Sequence, residues 1–194
     1  IDYGCKTVCI NPASIGIARD LCKGTQTGIC VVCDFPFGLS GAASKVMQAG
    51  EICKNGDIAD LDVVLNYGWI RSGLWTEVEN EIRSLSETVH RYGTVLKVIF
   101  ETDALNPDEI VRATETACGA GADYVKTSTG FFTGGENRGA APETVKLMID
   151  TAKGRCKVKG AGGIRDQAHF FTLIDMGIDR MGIGYKSTPV VLGL

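Results

Sequence analysis

Two hydrophobic periods alternate along this chain. Short β-branched runs with apolar residues on every second position give way to longer stretches whose apolar residues fall three and four apart, the strand and helix signatures. The strands predicted this way are Lys6 to Asn11, Ile29 to Phe35, Leu61 to Asn66, Val95 to Glu101, the run from Tyr124 into Gly130, Lys157 to Lys159, and Arg180 to Gly184. The helices between them are Ile15 to Lys23, Ala42 to Asn55, Trp75 to Arg91, one from Pro107 to about Cys118-Gly119, one after Pro142, and Phe170 to Met176. Asn106-Pro107-Asp108-Glu109 combines an N-cap, a proline at the first helical position and a capping glutamate. In the third strand Leu61, Val63 and Leu65 form the apolar set that packs under helices, which turns Asp60, Asp62, Val64 and Asn66 to the other face.

Strands alternating with helices through short loops predict a parallel α/β fold, and polar residues on alternate strand positions predict a barrel with a wet mouth. The expected class is a (β/α)8 TIM barrel, read as one domain over residues 1–194. Seven strands are counted where the barrel needs eight and typically about 250 residues. The first βα unit is therefore expected to be lacking, and Tyr3-Gly4-Cys5 reads as the tail of a helix. Two open edges, Thr7 to Asn11 and Arg180 to Gly184, then predict a homo-oligomer or a poorly soluble chain.

A formal charge of −3 and a pI near 5.4, with no basic patch, exclude nonspecific nucleic-acid binding, and no apolar stretch exceeds strand length, so no membrane partner is expected. Eight cysteines are scattered through βα patterning, with Cys9, Cys30, Cys33 and Cys156 inside apolar strands. They read as reduced thiols in a cytoplasmic protein. Cys30 and Cys33 have CxxC spacing but point to opposite faces of an extended strand, and His90 and His169 have no acidic or thiol partner at ligand spacing, so no metal site is expected.

The chemistry concentrates on two lysines. Lys126 lies in Tyr124-Val125-Lys126-Thr127-Ser128-Thr129-Gly130, and Lys159 follows at a distance of 159 − 126 = 33 residues, one βαβ unit, ahead of Gly160-Ala161-Gly162-Gly163. Neighbouring parallel strands would put both ammonium groups at one end of a cavity. A lysine beside another cation and shielded from water is expected to titrate at roughly 7 to 8 instead of ~10.4 and to act as an amine nucleophile, the chemistry of a Schiff base. Residue type alone leaves Lys157 as a rival to Lys159 and Asp60 as a rival to Asp62, each pair sharing a strand face; Lys97 and Glu101 are read as a pair across the barrel floor or as tuning groups.

These residues resemble the 2-deoxyribose-5-phosphate aldolase family of class I aldolases. The resemblance runs through Thr7-Val8-Cys9-Ile10-Asn11-Pro12, Val32-Cys33-Asp34-Phe35-Pro36-Phe37-Gly38, Leu61-Asp62-Val63-Val64-Leu65-Asn66, Leu96-Lys97-Val98-Ile99-Phe100-Glu101-Thr102, Lys126-Thr127-Ser128-Thr129-Gly130-Phe131 and Lys159-Gly160-Ala161-Gly162-Gly163-Ile164-Arg165. It implies a (β/α)8 barrel, and reversible cleavage of 2-deoxy-D-ribose 5-phosphate to D-glyceraldehyde 3-phosphate and acetaldehyde without metal or organic cofactor. It further implies Lys126 as the imine-forming residue, Lys159 as the group that depresses its pKa, Asp62 as their partner in a proton relay, and Cys9, Thr129 and Gly130 near the substrate. Phosphate is expected at Gly162 and Gly163 and, after the last strand, at Gly182 and Gly184, where backbone N–H groups can cradle an anion. Gly184 and Tyr185 stand where the family commonly carries serine, and the loop Phe132 to Ala141 is longer than usual. A different Schiff-base aldolase for another phosphorylated sugar, or a non-catalytic sugar-phosphate-binding incomplete barrel, are the alternative readings.

Overall fold

A computed structural model describes all 194 residues. Seven parallel strands lie in chain order in one sheet: β1 (Thr7–Ile10), β2 (Gly28–Cys33), β3 (Asp60–Val64), β4 (Val95–Ile99), β5 (Tyr124–Lys126), β6 (Lys157–Ala161) and β7 (Arg180–Gly182). The helices are α1 (Ile15–Cys22), α2 (Ala42–Cys53), α3 (Tyr67–Arg71), α4 (Trp75–His90), α5 (Pro107–Gly119), α6 (Pro142–Ala152), α7 (Gln167–Asp175) and α8 (Thr188–Leu192). Parallel strands need helical crossovers, so the alternating periods dictate this arrangement.

The pleat sorts each strand into two sets. Val31, Leu61, Val63, Val98, Val125 and Val158 face the helices and join one core of buried apolar residues, while Cys30, Asp62, Lys97, Lys126 and Lys159 face the other way. Full burial of a valine or leucine side chain contributes about 1.5–3 kcal/mol, so the outward set supplies the apolar core against which the inward set is presented.

The sheet is strongly curled. Arg180 Nη1 on β7 lies 2.6 Å from Asp60 Oδ2 on β3, whereas four strand spacings in a flat sheet would separate them by about 19 Å. β1 and β7 are not bonded to each other; β1 pairs with β2 and β7 with β6.

Local signals hold where they are strongest. Asn106 and Glu109 form the reciprocal capping box of α5, whereas Gly4, read as the tail of a helix, lies in a turn with a positive φ and its N–H bonded to Ile1 O. Three elements were missed: α3, a 3-10 turn over Thr102–Ala104, and α8. The Asn66 side chain accepts from Trp69 N to start α3, and Asp166 accepts from His169 N to start α7 at Gln167, ahead of the predicted Phe170; both caps were readable signals. β4 and β5 stop earlier than predicted because Glu101 turns to φ 58, although Phe100 N still donates to Lys126 O and Thr102 N to Thr127 O.

The expectation of eight reduced thiols is corrected. Cys118 at the end of α5 and Cys156 just before β6 form a disulfide with Cα atoms 5.4 Å apart. They are 38 residues apart in sequence, and only the packing of α5 beside α6 brings them together. The other six cysteines are free, and no helix is long and apolar enough to cross a membrane.

Candidate active site

The predicted residues Lys126, Lys159 and Asp62 meet inside the curl. Lys126 and Lys159 are register partners on β5 and β6, and both ammonium groups donate to a single oxygen of Asp62 across the cavity: Nζ of Lys126 lies 2.8 Å, and Nζ of Lys159 2.7 Å, from Oδ2. All three side chains are buried. A third lysine, Lys97 on β4, brings its Nζ within 3.2 Å of Asp62 Oδ1 and 2.6 Å of Asp60 Oδ2.

This geometry resolves the rival pairs. Lys157 is solvent-exposed at the start of β6 and lies over the Tyr124 ring, so Lys159 is the lysine in the site. Asp60 pairs with Lys97 and Arg180, so Asp62 serves the two inner lysines. The expected Lys97–Glu101 pair is not formed. Glu101 instead accepts from Thr129 N and Thr129 Oγ1, tying down the turn after Lys126.

The electrostatics differ from two lysines facing each other bare, because an anion stands between them. Burial by itself would raise the Asp62 carboxyl; Lys126, Lys159 and Lys97 overturn that and hold it well below the usual carboxylate range. Burial would lower Lys159, but Asp62 outweighs it and the Lys159 ammonium holds its proton more tightly than a free lysine. Lys159 is thereby a fixed cation and a poor nucleophile. Three buried lysines, Lys97, Lys126 and Lys159, and the half-buried Arg180 face Asp60 and Asp62, an excess of 4 − 2 = 2 positive charges, which suits the cavity to an anionic ligand.

The substrate-binding candidates divide. Cys9, exposed on β1, lies 3.7 Å from Cys30 at the cavity wall, and Cys30 Sγ is 3.2 Å from Asp62 Oδ1. Thr129 spends its hydroxyl on Glu101 and on Phe131 N, and Gly130 is an exposed positive-φ residue beside it. Gly162 and Gly163 form a positive-φ turn after β6 that packs against Arg138 and Gly139 of the long loop. A Cβ on Gly139 would fall 2.4 Å from the Gly162 carbonyl, so that contact requires glycine. A Cβ on Gly182 would lie 3.2 Å from Ala161 Cβ and 3.4 Å from Lys159 Cε, a close fit against β6; Gly184 is open, with nothing near its would-be Cβ.

Sequence reasoning missed two contributors, Cys30 and Asp103, and the partners of a third. Cys30 could have been found from its inward register, since Val32 and Cys30 share a face. Lys97 was read as a partner of Glu101 or as a tuning group, and its ion pairs are with Asp60 and Asp62. Asp103 gave no signal: its carboxylate accepts from Arg138 N, Gly139 N and Ser128 Oγ, and it staples the long loop to the strand ends. His90 lies 2.7 Å from Asp123, a partner 33 residues away that ligand spacing could not reveal. Cys9, Cys30 and Asp62 together offer donor atoms within 4.8 Å of one another, but a cation there would face the two ammonium groups already on the Asp62 carboxylate, so this trio is poorly matched to a metal.

Comparison with known proteins agrees with this geometry. Residues 1–186 match the family described as DeoC/LacD family aldolase. The deoxyribose-phosphate aldolase of Staphylococcus haemolyticus is 38% identical over 193 residues, covering 100% of this chain and 84% of that protein. That of Mannheimia succiniciproducens is 40% identical over 176 residues, 91% of this chain and 75% of its own length. A tetrameric deoxyribose phosphate aldolase from Aeropyrum pernix superposes with a TM-score of 0.85 at 27% identity, covering 99% of this chain and 78% of that one. With a curled parallel sheet, two inward lysines on one buried carboxylate, and relatives of this likeness over nearly its whole length, the chain belongs to the DeoC/LacD family of aldolases.

Proposed function

We propose that the chain is a class I aldolase that cleaves 2-deoxy-D-ribose 5-phosphate reversibly to D-glyceraldehyde 3-phosphate and acetaldehyde, with Lys126 as the imine-forming residue. The observation that carries the reading is the sharing of one Asp62 oxygen by Lys126 and Lys159 inside the curl. The Lys126 amine adds to the C1 aldehyde, and loss of water leaves a protonated imine. Removal of the C3 hydroxyl proton then breaks the C2–C3 bond, the electron pair moving into the imine to give an enamine as glyceraldehyde 3-phosphate departs. Protonation of the enamine at C2 and hydrolysis release acetaldehyde and return the amine. Asp62, low in pKa and hydrogen-bonded to both lysines, accepts and returns protons through water, while Lys159 keeps a positive charge beside the developing enamine.

The test is reduction with borohydride in the presence of acetaldehyde, followed by peptide mapping. One ethyl group on Lys126 is expected, since reduction of the imine fixes the two carbons on the nitrogen that formed it, whereas reduction of free acetaldehyde leaves the protein unlabelled. An ethyl group on Lys159 with Lys126 unmodified reverses the two roles.

For the phosphate, the proposed cradle is the turn of Gly162 and Gly163 together with the chain after β7 at Gly184. A serine hydroxyl at 184 meets open space and supplies one further hydrogen bond to a charged acceptor. Gly184→Ser is expected to lower KM for the phosphorylated sugar about tenfold and to leave the unphosphorylated sugar unchanged, because a contact remote from the breaking bond acts mainly on binding. Equal improvement of both substrates would move the phosphate contact elsewhere.

A further inference from the structure

Two thiols at the edge of the cavity are left unused by the aldol chemistry. Cys9 on β1 and Cys30 on β2 are direct register partners, with sulfurs 3.7 Å apart, and Cys30 Sγ also reaches Asp62 Oδ1 at 3.2 Å. One thiol proton serves one acceptor at a time, so the state of Cys9 bears on whether Asp62 receives the Cys30 proton. The pair is asymmetric in access, Cys9 exposed and Cys30 buried. β1 pairs with β2, and that register sets the two cysteines side by side. A disulfide needs sulfurs about 2.05 Å apart, an approach of roughly 1.7 Å that rotation of the two side chains with a small backbone adjustment can make.

We propose that Cys9 and Cys30 form a hydroperoxide-oxidisable dithiol whose closure switches the site off by taking away the Cys30 proton, which Cys9 and Asp62 share, and drawing the Cys30 sulfur from Asp62 toward Cys9. The Cys9 thiolate attacks one oxygen of hydrogen peroxide; the O–O bond breaks, and the departing hydroxide takes a proton to become water, leaving Cys9 as a sulfenic acid. Cys30 then attacks the Cys9 sulfur, the S–O bond breaks, and the Cys30 proton leaves with the hydroxide as a second water. Two thiols and one peroxide become one disulfide and two waters, the sulfurs giving up the two electrons that the peroxide takes. The roles follow from environment: the hydrogen bond from Cys30, helped by Lys126 and Lys159 against burial and Asp62, pulls the Cys9 thiol down to about 6, whereas the Cys30 thiol is pushed well up by its place beside Cys9, by burial and by Asp62. The attacking group is thus an accessible thiolate, and the resolving group is a protonated thiol next to it.

The effect on activity rests on the reading of Asp62 as part of the aldolase machinery; formation of the bond does not. The enzyme is treated with hydrogen peroxide, quenched with an alkylating reagent and mapped by peptide mass, and activity is compared with the same sample before treatment. A Cys9–Cys30 linked peptide is expected, with activity reduced about tenfold or more and recovered on adding dithiothreitol. In Cys30→Ser, which retains the Cys118–Cys156 bond as an internal control, peroxide is expected to leave a sulfenic acid on Cys9 trappable by dimedone, with no linked peptide. Oxidation of Cys9 to sulfinic acid in the parent chain with Cys30 still alkylated would overturn the pairing. A linked peptide formed with undiminished activity would overturn the switch. If the linked peptide forms while borohydride and acetaldehyde fail to label Lys126 in the reduced enzyme, the aldolase reading fails and the dithiol stands.

Discussion

Lys126→Leu is expected to abolish cleavage of 2-deoxyribose 5-phosphate, lowering kcat by at least on the order of 10⁴-fold, as for other enzymes that lose their covalent nucleophile. The fold should survive the change. Asp62 keeps Lys159 at 2.7 Å and Lys97 at 3.2 Å, so its charge is not stranded, and the substitution removes one of the positive charges the cluster carries in excess. Leucine fills much of the space beside the apolar residues of β5, and stability is expected to stay within about 2 kcal/mol of the parent. Activity and the thermal midpoint measured on one preparation separate the two effects. Loss of activity together with loss of the cooperative melt would make Lys126 a structural group, and residual turnover above one part in about 10³ would show that the covalent route does not run through it.

Asp62→Asn is expected to be the most destabilising single change in the site. The carboxylate is the common partner of Lys126 and Lys159 and a second partner of Lys97, all buried, and the amide leaves Lys126 and Lys159 without their charge partner and Lys97 with Asp60 alone. Breaking a buried pair in this way costs about 3–5 kcal/mol, a fall of about 10 °C or more in the midpoint for a domain of this size. The pH dependence has a definite sign. The Asp62 pKa is lowered in the fold, so its stabilisation is present above the unfolded value of ~3.9 and is lost as pH falls through the lower folded value. The Lys159 pKa is raised, so its stabilisation is fully present below the unfolded value of ~10.4 and is lost as pH rises through the higher folded value. The gap in stability between parent and Asp62→Asn should therefore be widest between about pH 4 and 10 and should narrow on either side. Chemical denaturation across that range measures it; equal stability at pH 7 would mean that the ammonium groups find other partners or water.

The local determinants of this protein lie in its sequence. The outward Leu61, Val63 and Leu65 against inward Asp60 and Asp62 specify a strand with one face under helices and one face polar, because side chains alternate strictly along an extended chain. The capping box at Asn106 and Glu109 specifies where α5 begins, because its bonds close within four residues. The helix-connected strands also dictate a parallel sheet in chain order, and the coupled Lys126 and Lys159 motifs announce Schiff-base chemistry. What the tertiary structure alone decided is which charges meet. Asp62 and Lys159 are 97 residues apart, and Arg180 and Asp60 120 apart; their contact depends on how tightly seven strands curl, a property summed over every pair of neighbours and written in no single motif. The same holds for Cys118 with Cys156, for Asp103 beneath the long loop, and for Cys9 with Cys30: residue type advertises what a group can do, but a hydrogen bond or a disulfide forms only within a few ångströms, and only the folded chain sets that distance.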